Sequence, residues 1–279
     1  MENSAATNLR APAPKAAKSG RADRRRLAYQ LTGVALALLL WQFFTSPLFL
    51  TEQFSRSFSP GNTFGELFRF ISGGAFTRHA VPSLSRVGVG LAVAIAAGIP
   101  VGILIGYFSK LNLLTNTVFQ FIRMTSPLAW MPIAIIIFGV GNNPVYFLIA
   151  MAAVWPIIIN TAHGVRNVNP IWVKVVRMLG GAHRQVLRRA VIPAIIPDML
   201  TGLRISLGIS WIILVPAEML GVSSGLGYYI LDTRDRFNYG ELTAVILVVG
   251  FFGFISDTLL RLLQQRFSWR KDTEQGLVL

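Results

Sequence analysis

Long apolar tracts alternate along the chain with short polar segments, a pattern typical of a protein that crosses a membrane several times. One tract, residues 87–108, has no charged residue over 22 positions, and a helix of that length can cross about 30 Å of hydrocarbon. The pattern predicts an all-α membrane protein with six transmembrane helices. Their predicted boundaries are residues 27–48, 82–107, 114–140, 145–161, 194–220 and 242–263.

The segments around these helices divide the chain into four parts. Residues 1–26, rich in Ala, Pro and Ser and ending in a run of arginines, are predicted to be a disordered basic cytoplasmic tail. A cleaved signal peptide is the alternative, but no small-residue cleavage site follows the first apolar run. Residues 27–80 would hold the first helix and an external loop with a short amphipathic helix at Phe64–Ile71. Residues 81–269 would form the transmembrane core, and residues 270–279 a second cytoplasmic tail.

Composition and charge agree with this organisation. The chain is 53% hydrophobic and only 14% charged, with a mean hydropathy of +0.56, which excludes an ordinary soluble domain. The net charge of +14 could indicate nucleic-acid binding, but 18 Lys and Arg residues fall on one side of the predicted membrane and five on the other. Both termini are therefore predicted to be cytoplasmic. With no cysteine, the chain has no disulfide, thiolate metal site or Cys nucleophile.

A polar segment, residues 170–204, interrupts the apolar tracts: PIWVKVVRMLGGAHRQVLRRAVIPAIIPDMLTGLR. It carries five basic residues and no acidic one before Asp198. Gly180 and Gly181 break its middle, and Pro193 and Pro197 stand just before the next apolar run, so the segment predicts a short helix, a turn and a second short helix. A basic, partly apolar hairpin at a membrane face suggests a docking surface for a soluble partner.

This segment resembles the EAA loop of permease subunits of type I ATP-binding-cassette importers. The family pattern is Glu-Ala-Ala, three residues, Gly, nine residues, Ile, one residue, Leu-Pro. Gly180 and the pair Ile192-Pro193 fit it, while Lys174 stands where the family has Glu. The runs RMTSPLAWMPIAIIIFGVG and TGLRISLGISWIILVPAEMLGVSSGLGYYI are similar to permeases for nitrate, sulfonate and taurine. The likeness covers residues 83–269.

The resemblance implies a type I importer (MetI-like) permease fold in a bacterial inner membrane, with the loop at residues 170–193 forming a coupling helix on a cytoplasmic ATPase. It implies two ATPase subunits, a second permease copy, and a periplasmic or lipid-anchored binding protein at the outer loops. Ile171, Trp172, Val175, Val176 and Leu179 would anchor the loop to its own helices. The predicted coupling residues are Lys174, Arg177, Gly180, Gly181, His183, Arg184, Arg188, Ile192 and Pro193. Alternatively, the arginines only obey the positive-inside rule and bind lipid phosphate.

The chain is predicted to have no enzymatic role and to bind no cofactor. It contains no G-x-x-x-x-G-K-[ST] sequence, so ATP and Mg²⁺ would be held by the partner ATPase. A G-x-S-x-G match with Ser223 at its centre raises the alternative of a membrane hydrolase, but no histidine follows it in the chain. A self-contained channel or secondary transporter is the other class left open.

Charged residues within predicted transmembrane helices indicate a candidate substrate path, since such residues are costly and usually face a cavity or a partner. Arg123 and Arg204 each lie about nine residues into a helix, roughly 15 Å deep. In a homodimer they would place four cations at one depth, which suits a small anion: nitrate or nitrite first, then taurine or another sulfonate. The alternative is structural ion pairing with Asp198 and Asp257. Ser126 and Ser210 complete the candidate path, and Glu218 is either an outer gate or a solvated helix end.

Small residues are frequent along the second predicted helix, and they predict close packing against another helix. They are Gly88, Gly90, Ala92, Ala94, Ala96, Ala97, Gly98, Gly102 and Gly106.

Overall fold

The structure, a computed structural model, describes residues 19–267, with side chains from residue 28 onward except at position 53. In this part of the chain the regular structure is helical. The helices are α1 (Ser19–Phe44), α2 (Glu52–Phe58), α3 (Pro60–Ser72), α4 (Ala75–Tyr107), α5 (Ser109–Met124), α6 (Met131–Phe138), α7 (Asn142–Arg166), α8 (Pro170–Met178), α9 (His183–Val186), α10 (Ile192–Gly221), α11 (Leu226–Asp235) and α12 (Tyr239–Phe267).

Four helical stretches in the described residues are long and apolar enough to cross a membrane: α4, α7, the run His183–Gly221 and α12. The bent pair α5 and α6 would make a fifth. The apolar part of α1, Ala28–Phe44, is shorter than these. The all-helical membrane fold is therefore confirmed, whereas the six-helix count and the cytoplasmic position of the termini stay predictions.

The third transmembrane helix is not the continuous helix predicted for residues 114–140. It is broken into α5 and a second part, Pro127–Phe138, that turns away by 85°. The break falls at Thr125 and Ser126, whose ψ angles of 131° and 125° are extended. A proline disfavours helical geometry in the residue before it, and Pro127 follows Ser126 directly.

The chain forms two compact units, divided after Pro60. In the first unit, α1 begins at Ser19, so residues 19–26, the last eight of the tail predicted to be disordered, are helical. The arginines and the alanine in this stretch are good helix formers. Helix α2 was not predicted. It is linked to the residue that follows α1, because the hydroxyl of Ser55 donates to the carbonyl of Thr45 at 2.6 Å. In the second unit, α3 confirms the predicted amphipathic helix. The remaining parts of both predicted tails, residues 1–18 and 270–279, lie outside the described residues.

Helices α4 and α7 run side by side in the same direction and pack through four of the predicted small residues, the glycines at 90, 98, 102 and 106, whereas Gly88 is exposed. A Cβ atom built on Gly90 would lie 2.6 Å from a side-chain carbon of Ile149, and the glycines at 98, 102 and 106 meet α7 equally closely. Each contact joins residues 59 positions apart, which holds the two helices in one register from Gly90 to Gly106. The predicted close packing is confirmed.

Candidate coupling loop, outer polar cluster and cavities

Helix α8 has its own start and stop signals. Asn169 caps its N-terminus by accepting the amide of Ile171 at 2.9 Å, and Pro170 occupies the first turn. At the other end the amide of Gly181 donates to the carbonyl of Val176 at 2.9 Å, and that of Gly180 donates to Arg177 at 3.0 Å. This is a Schellman motif, which requires a left-handed residue at Gly180, whose φ is 77°. The predicted break at the glycine pair is confirmed.

One face of α8 packs on the inner ends of the long helices. Val173 and Val176 lie against a buried cluster centred on Val186 and Ile195. The cluster also takes Tyr107 from the end of α4. The loop is thereby held in place by its own chain.

The opposite face of α8 is apolar and exposed. Met178 and Leu179 are 84% and 83% exposed, and Ile171 and Val175 are exposed beside them. The prediction that Ile171, Val175 and Leu179 anchor the loop was therefore wrong. Their spacing puts them on the side of α8 away from the core, because residues three and four apart share a helix face.

The basic residues of the loop are exposed in the same segment of the chain as this apolar face. Lys174, Arg177, Arg184 and Arg188 are exposed, and none forms an ion pair within residues 28–267. His183 is exposed but its ring meets the edge of Tyr107, with 5.8 Å between centroids. The loop therefore presents an apolar patch with a cationic border.

The helix does not stop at Ile192 and Pro193. Residues His183–Gly221 form one helical run of 39 residues, with a π-helical turn at Leu187–Val191. The wider turn lies directly before Pro193, whose ring and missing amide hydrogen disrupt ordinary α-helical hydrogen bonding. The predicted second short helix is therefore continuous with the fifth transmembrane helix.

A buried polar cluster lies at the other end of this long helix, and we call it the outer polar cluster. Arg86, 2% exposed, donates to the carboxylate of Glu218 at 2.6 Å. The same guanidinium donates to the side chain of Asn142 at 2.8 and 2.9 Å and to the carbonyl of Ser224 at 2.7 Å. Glu218 also accepts the hydroxyl of Ser83 at 2.8 Å. The cluster joins α4, the start of α7, the end of α10 and the loop before α11.

Glu218 is fully buried, so its interpretation as a solvated helix end was wrong. Arg86, near the start of the predicted helix 82–107, was not among the predicted site residues. The available signal was a lone arginine near the start of an apolar helix, which is costly in a membrane unless it is paired.

Two further residues, one on α11 and one in the first turn of α12, pair at this end. The hydroxyl of Tyr229 on α11 donates to the carboxylate of Glu241. Burial raises the pKa of Tyr229 to about 12, and the hydrogen bond to Glu241 acts in the same direction. The tyrosine therefore stays protonated at neutral pH.

The remaining candidate path residues are not gathered in one place. Arg204 forms a bidentate ion pair with Asp257 of α12, at 2.5 and 2.8 Å. This is the structural ion pairing that was the alternative to a place in the substrate path. Ser210 is buried and donates to the carbonyl of Ser206 at 2.8 Å. Ser126 is exposed at the break of the third helix.

Arg123 lies where two cavities meet along α7. One, with a volume of about 330 Å³, is lined by Thr125, Trp155 and Asn160 among others. The other, about 190 Å³, extends from Trp155 to Arg166 at the end of α7. Arg123 lines both. Together the two cavities extend along α7 to Arg166, at the end of the helix that leads into the coupling loop.

The G-x-S-x-G match lacks the context that a nucleophile elbow needs. Ser223 follows a long helix, and the described residues contain no strand before it. His79 and Ser223 line one surface depression, but the Nδ1 of His79 accepts the amide of Gly225 at 3.3 Å. The motif therefore forms an ordinary turn.

Comparisons with known proteins agree with the geometry. Residues 98–269 match the family of binding-protein-dependent transport system inner membrane components. The bicarbonate transport system permease protein CmpB of Synechococcus elongatus is 34% identical over 267 residues, 90% of this chain and 93% of that protein. The nitrate import permease protein NrtB of Leptolyngbya laminosa is 37% identical over 184 residues, 66% of each. The inward-facing MetNI methionine ABC transporter superposes at a TM-score of 0.59 and 15% identity, over 67% of this chain and 93% of that one, which shows a shared fold.

Proposed function

The chain belongs to the binding-protein-dependent inner membrane components of ABC importers, and we propose that it moves a small oxyanion by alternating access driven by a separate ATPase. The observation that carries this proposal is the exposed apolar face of α8. An apolar patch of this kind marks an interaction site. Its cationic border fits a groove with acidic residues, and its rigid seat on Val186 and Ile195 would transmit movement of a bound ATPase to the long helices.

The complex we propose contains two copies of this permease and two ATPase subunits in a bacterial inner membrane. A periplasmic or lipid-anchored binding protein would deliver the anion to the outer loops. ATP and Mg²⁺ would be bound by the ATPase alone. A self-contained channel or secondary transporter, the alternative class, would move the anion without ATP and without an ATPase partner.

The coupling contact is tested by capture of the cognate ATPase on the detergent-purified permease. We expect a Met178→Asp/Leu179→Asp double variant to lose about tenfold or more in capture, since truncating a central interface anchor costs about 2 kcal/mol or more. Phe237→Ser, which changes an apolar side chain exposed at the other end of the molecule, is the matched control and should bind normally. Undiminished capture by the double aspartate variant would refute the α8 contact.

A second pair of variants separates the apolar and basic parts of the loop. Arg184→Glu/Arg188→Glu should weaken ATPase capture in a salt-dependent manner if the cationic border contacts the partner. Unchanged capture at low salt would show that these arginines do not contact the ATPase, and binding to lipid phosphate would remain as their role.

The substrate proposal concerns a small oxyanion. Nitrate or nitrite is our first candidate, supported by the similarity to a nitrate permease, and taurine or another alkanesulfonate is the second. The relative CmpB is named for bicarbonate, which like nitrate is a small planar oxyanion, so all three classes belong in the assay. Arg123, at the junction of the cavities, is the cation that we place in the path, whereas Arg204 is engaged by Asp257.

Uptake by the assembled complex tests this path. Arg123→Gln should lower uptake of the transported anion about tenfold or more, because a hydrogen bond to a charged group contributes about 1.5–3 kcal/mol. Lys110→Gln, a cation at the start of the same helix, should transport normally. Uptake that survives in Arg123→Gln, with ATPase capture intact, would remove Arg123 from the path.

A further inference from the structure

The cavity of about 190 Å³ between α5 and α7 has a chemical character of its own. Along α5 its lining is Phe119 and a polar stripe, which consists of Asn112, Thr115, Asn116, Gln120 and Arg123, and the side toward α7 is mostly apolar. Arg166, the last residue of α7, closes the far end and donates to the side-chain oxygen of Asn112 at 3.2 Å.

The stripe occupies one face of α5, on which Asn116, Gln120 and Arg123 are exposed toward the open cavity. On the remaining surface of α5, Leu113, Leu114, Val118 and Phe121 are apolar and exposed, as expected for contact with lipid. Amide and guanidinium groups in a membrane helix face a water-filled cavity or a partner, because hydrocarbon cannot satisfy them. The stripe of α5 meets this requirement by facing the cavity with Trp155 and Arg166 opposite.

The charges lining the cavity have one sign. Arg123 and Arg166 supply two positive charges, and none of the described lining residues is acidic. Three carboxamides add hydrogen-bond donors that can turn toward an oxygen atom, whereas the hydroxyl of Thr115 donates to the carbonyl of Leu111 at 2.8 Å. Such a lining favours an oxyanion over a cation or an apolar solute, and the volume accommodates an ion of a few heavy atoms together with some water.

We propose that this cavity is an inner binding subsite for the transported oxyanion, held between Arg123 and Arg166 with Asn116 and Gln120 as donors. The inference rests on the proposed function and deepens it. Arg166 ends α7 and the coupling helix begins four residues later, at Pro170, so the subsite lies next to the loop that contacts the ATPase. An anion here would be the last one bound before release on the ATPase side.

The test is equilibrium binding of nitrate, bicarbonate and methanesulfonate to the permease–ATPase complex in detergent, without binding protein. Arg166→Gln should weaken binding of the preferred anion at least about tenfold, with Arg166→Lys intermediate. Gln120→Glu, which keeps the side-chain shape and adds a negative charge, should abolish binding. Lys110→Gln, outside the lining, is the matched control, and ATPase capture checks assembly of every variant.

The outcomes separate the subsite from the proposed function. If wild type binds one of the anions and Arg166→Gln and Gln120→Glu bind it as tightly, the subsite is overturned while the importer remains. If wild type binds none of them, both the subsite and the oxyanion substrate are overturned. If the complex binds no free anion but anionic phospholipid is retained by wild type and lost in Arg166→Gln, the cavity is a headgroup site and the proposal is overturned.

Discussion

Replacing Glu218 with alanine is expected to destabilise the folded protein by about 3–5 kcal/mol, because it leaves a buried guanidinium without its carboxylate. Arg86 would keep its bonds to Asn142 and Ser224 but lose its only charged partner among the described residues. Ser83 and the amide of Gly227 would also lose the acceptor that they share. The effect is read from the thermal transition and detergent-resistant yield of the purified chain.

Two variants make this result specific. Asp235→Ala removes one partner of an exposed ion pair on α11 and should cost less than about 1 kcal/mol. An Arg86→Met/Glu218→Met double variant should recover much of the loss, since an apolar pair of similar volume avoids the unpaired charge. A double variant as unstable as the sum of both single changes would show that the two side chains do not act as a pair.

Replacing Gly102 with leucine is expected to separate α4 from α7 and prevent stable assembly. Even a methyl group at this position would lie 2.7 Å from the Cβ of Thr161 and 2.9 Å from the backbone oxygen of Ile158. The oxygen belongs to a helix backbone and cannot move aside, so the cost should be about 1–3 kcal/mol for alanine and larger for leucine. Expression level and thermal stability in detergent provide the measurement.

Gly88 is the matched control on the same helix. A Cβ atom there meets nothing within 4 Å, and the residue is exposed. Gly88→Leu should therefore fold normally. Equal losses in Gly88→Leu and Gly102→Leu would indicate that lipid contact, not helix packing, decides the outcome.

The sequence was sufficient for the four long helices and for the close packing of α4, but not for the face through which α4 packs. Apolar length indicates a transmembrane helix and a high content of small residues indicates close packing, so both could be predicted from local pattern. The break at Ser126 was missed because hydropathy continues through it, although Pro127 signalled it. Likewise Pro193 suggested a stop, but a π-helical turn of five residues accommodates it.

The candidate site was less predictable for a different reason. The basic residues of the coupling loop are exposed as expected, because charged side chains between two membrane helices are costly in hydrocarbon. They are Lys174, Arg177, Arg184 and Arg188. The pairing of Arg86 with Glu218 joins residues 132 positions apart, and no local pattern specifies such a partner. For Arg204 the sequence left two readings open, and only the three-dimensional packing of α10 against α12 brings Asp257 into range.

The uninterrupted helix from His183 to Gly221 has a mechanical consequence. Its 39 residues make a helix about 58 Å long at 1.5 Å per residue, with Arg184 near one end and Glu218 near the other. No loop interrupts this run, but a π-helical turn and the prolines at 193, 197 and 216 lie within it, and these are the places where a long helix bends. In the mechanism that we propose, a movement of the coupling loop would reach the outer polar cluster through this one continuous helix.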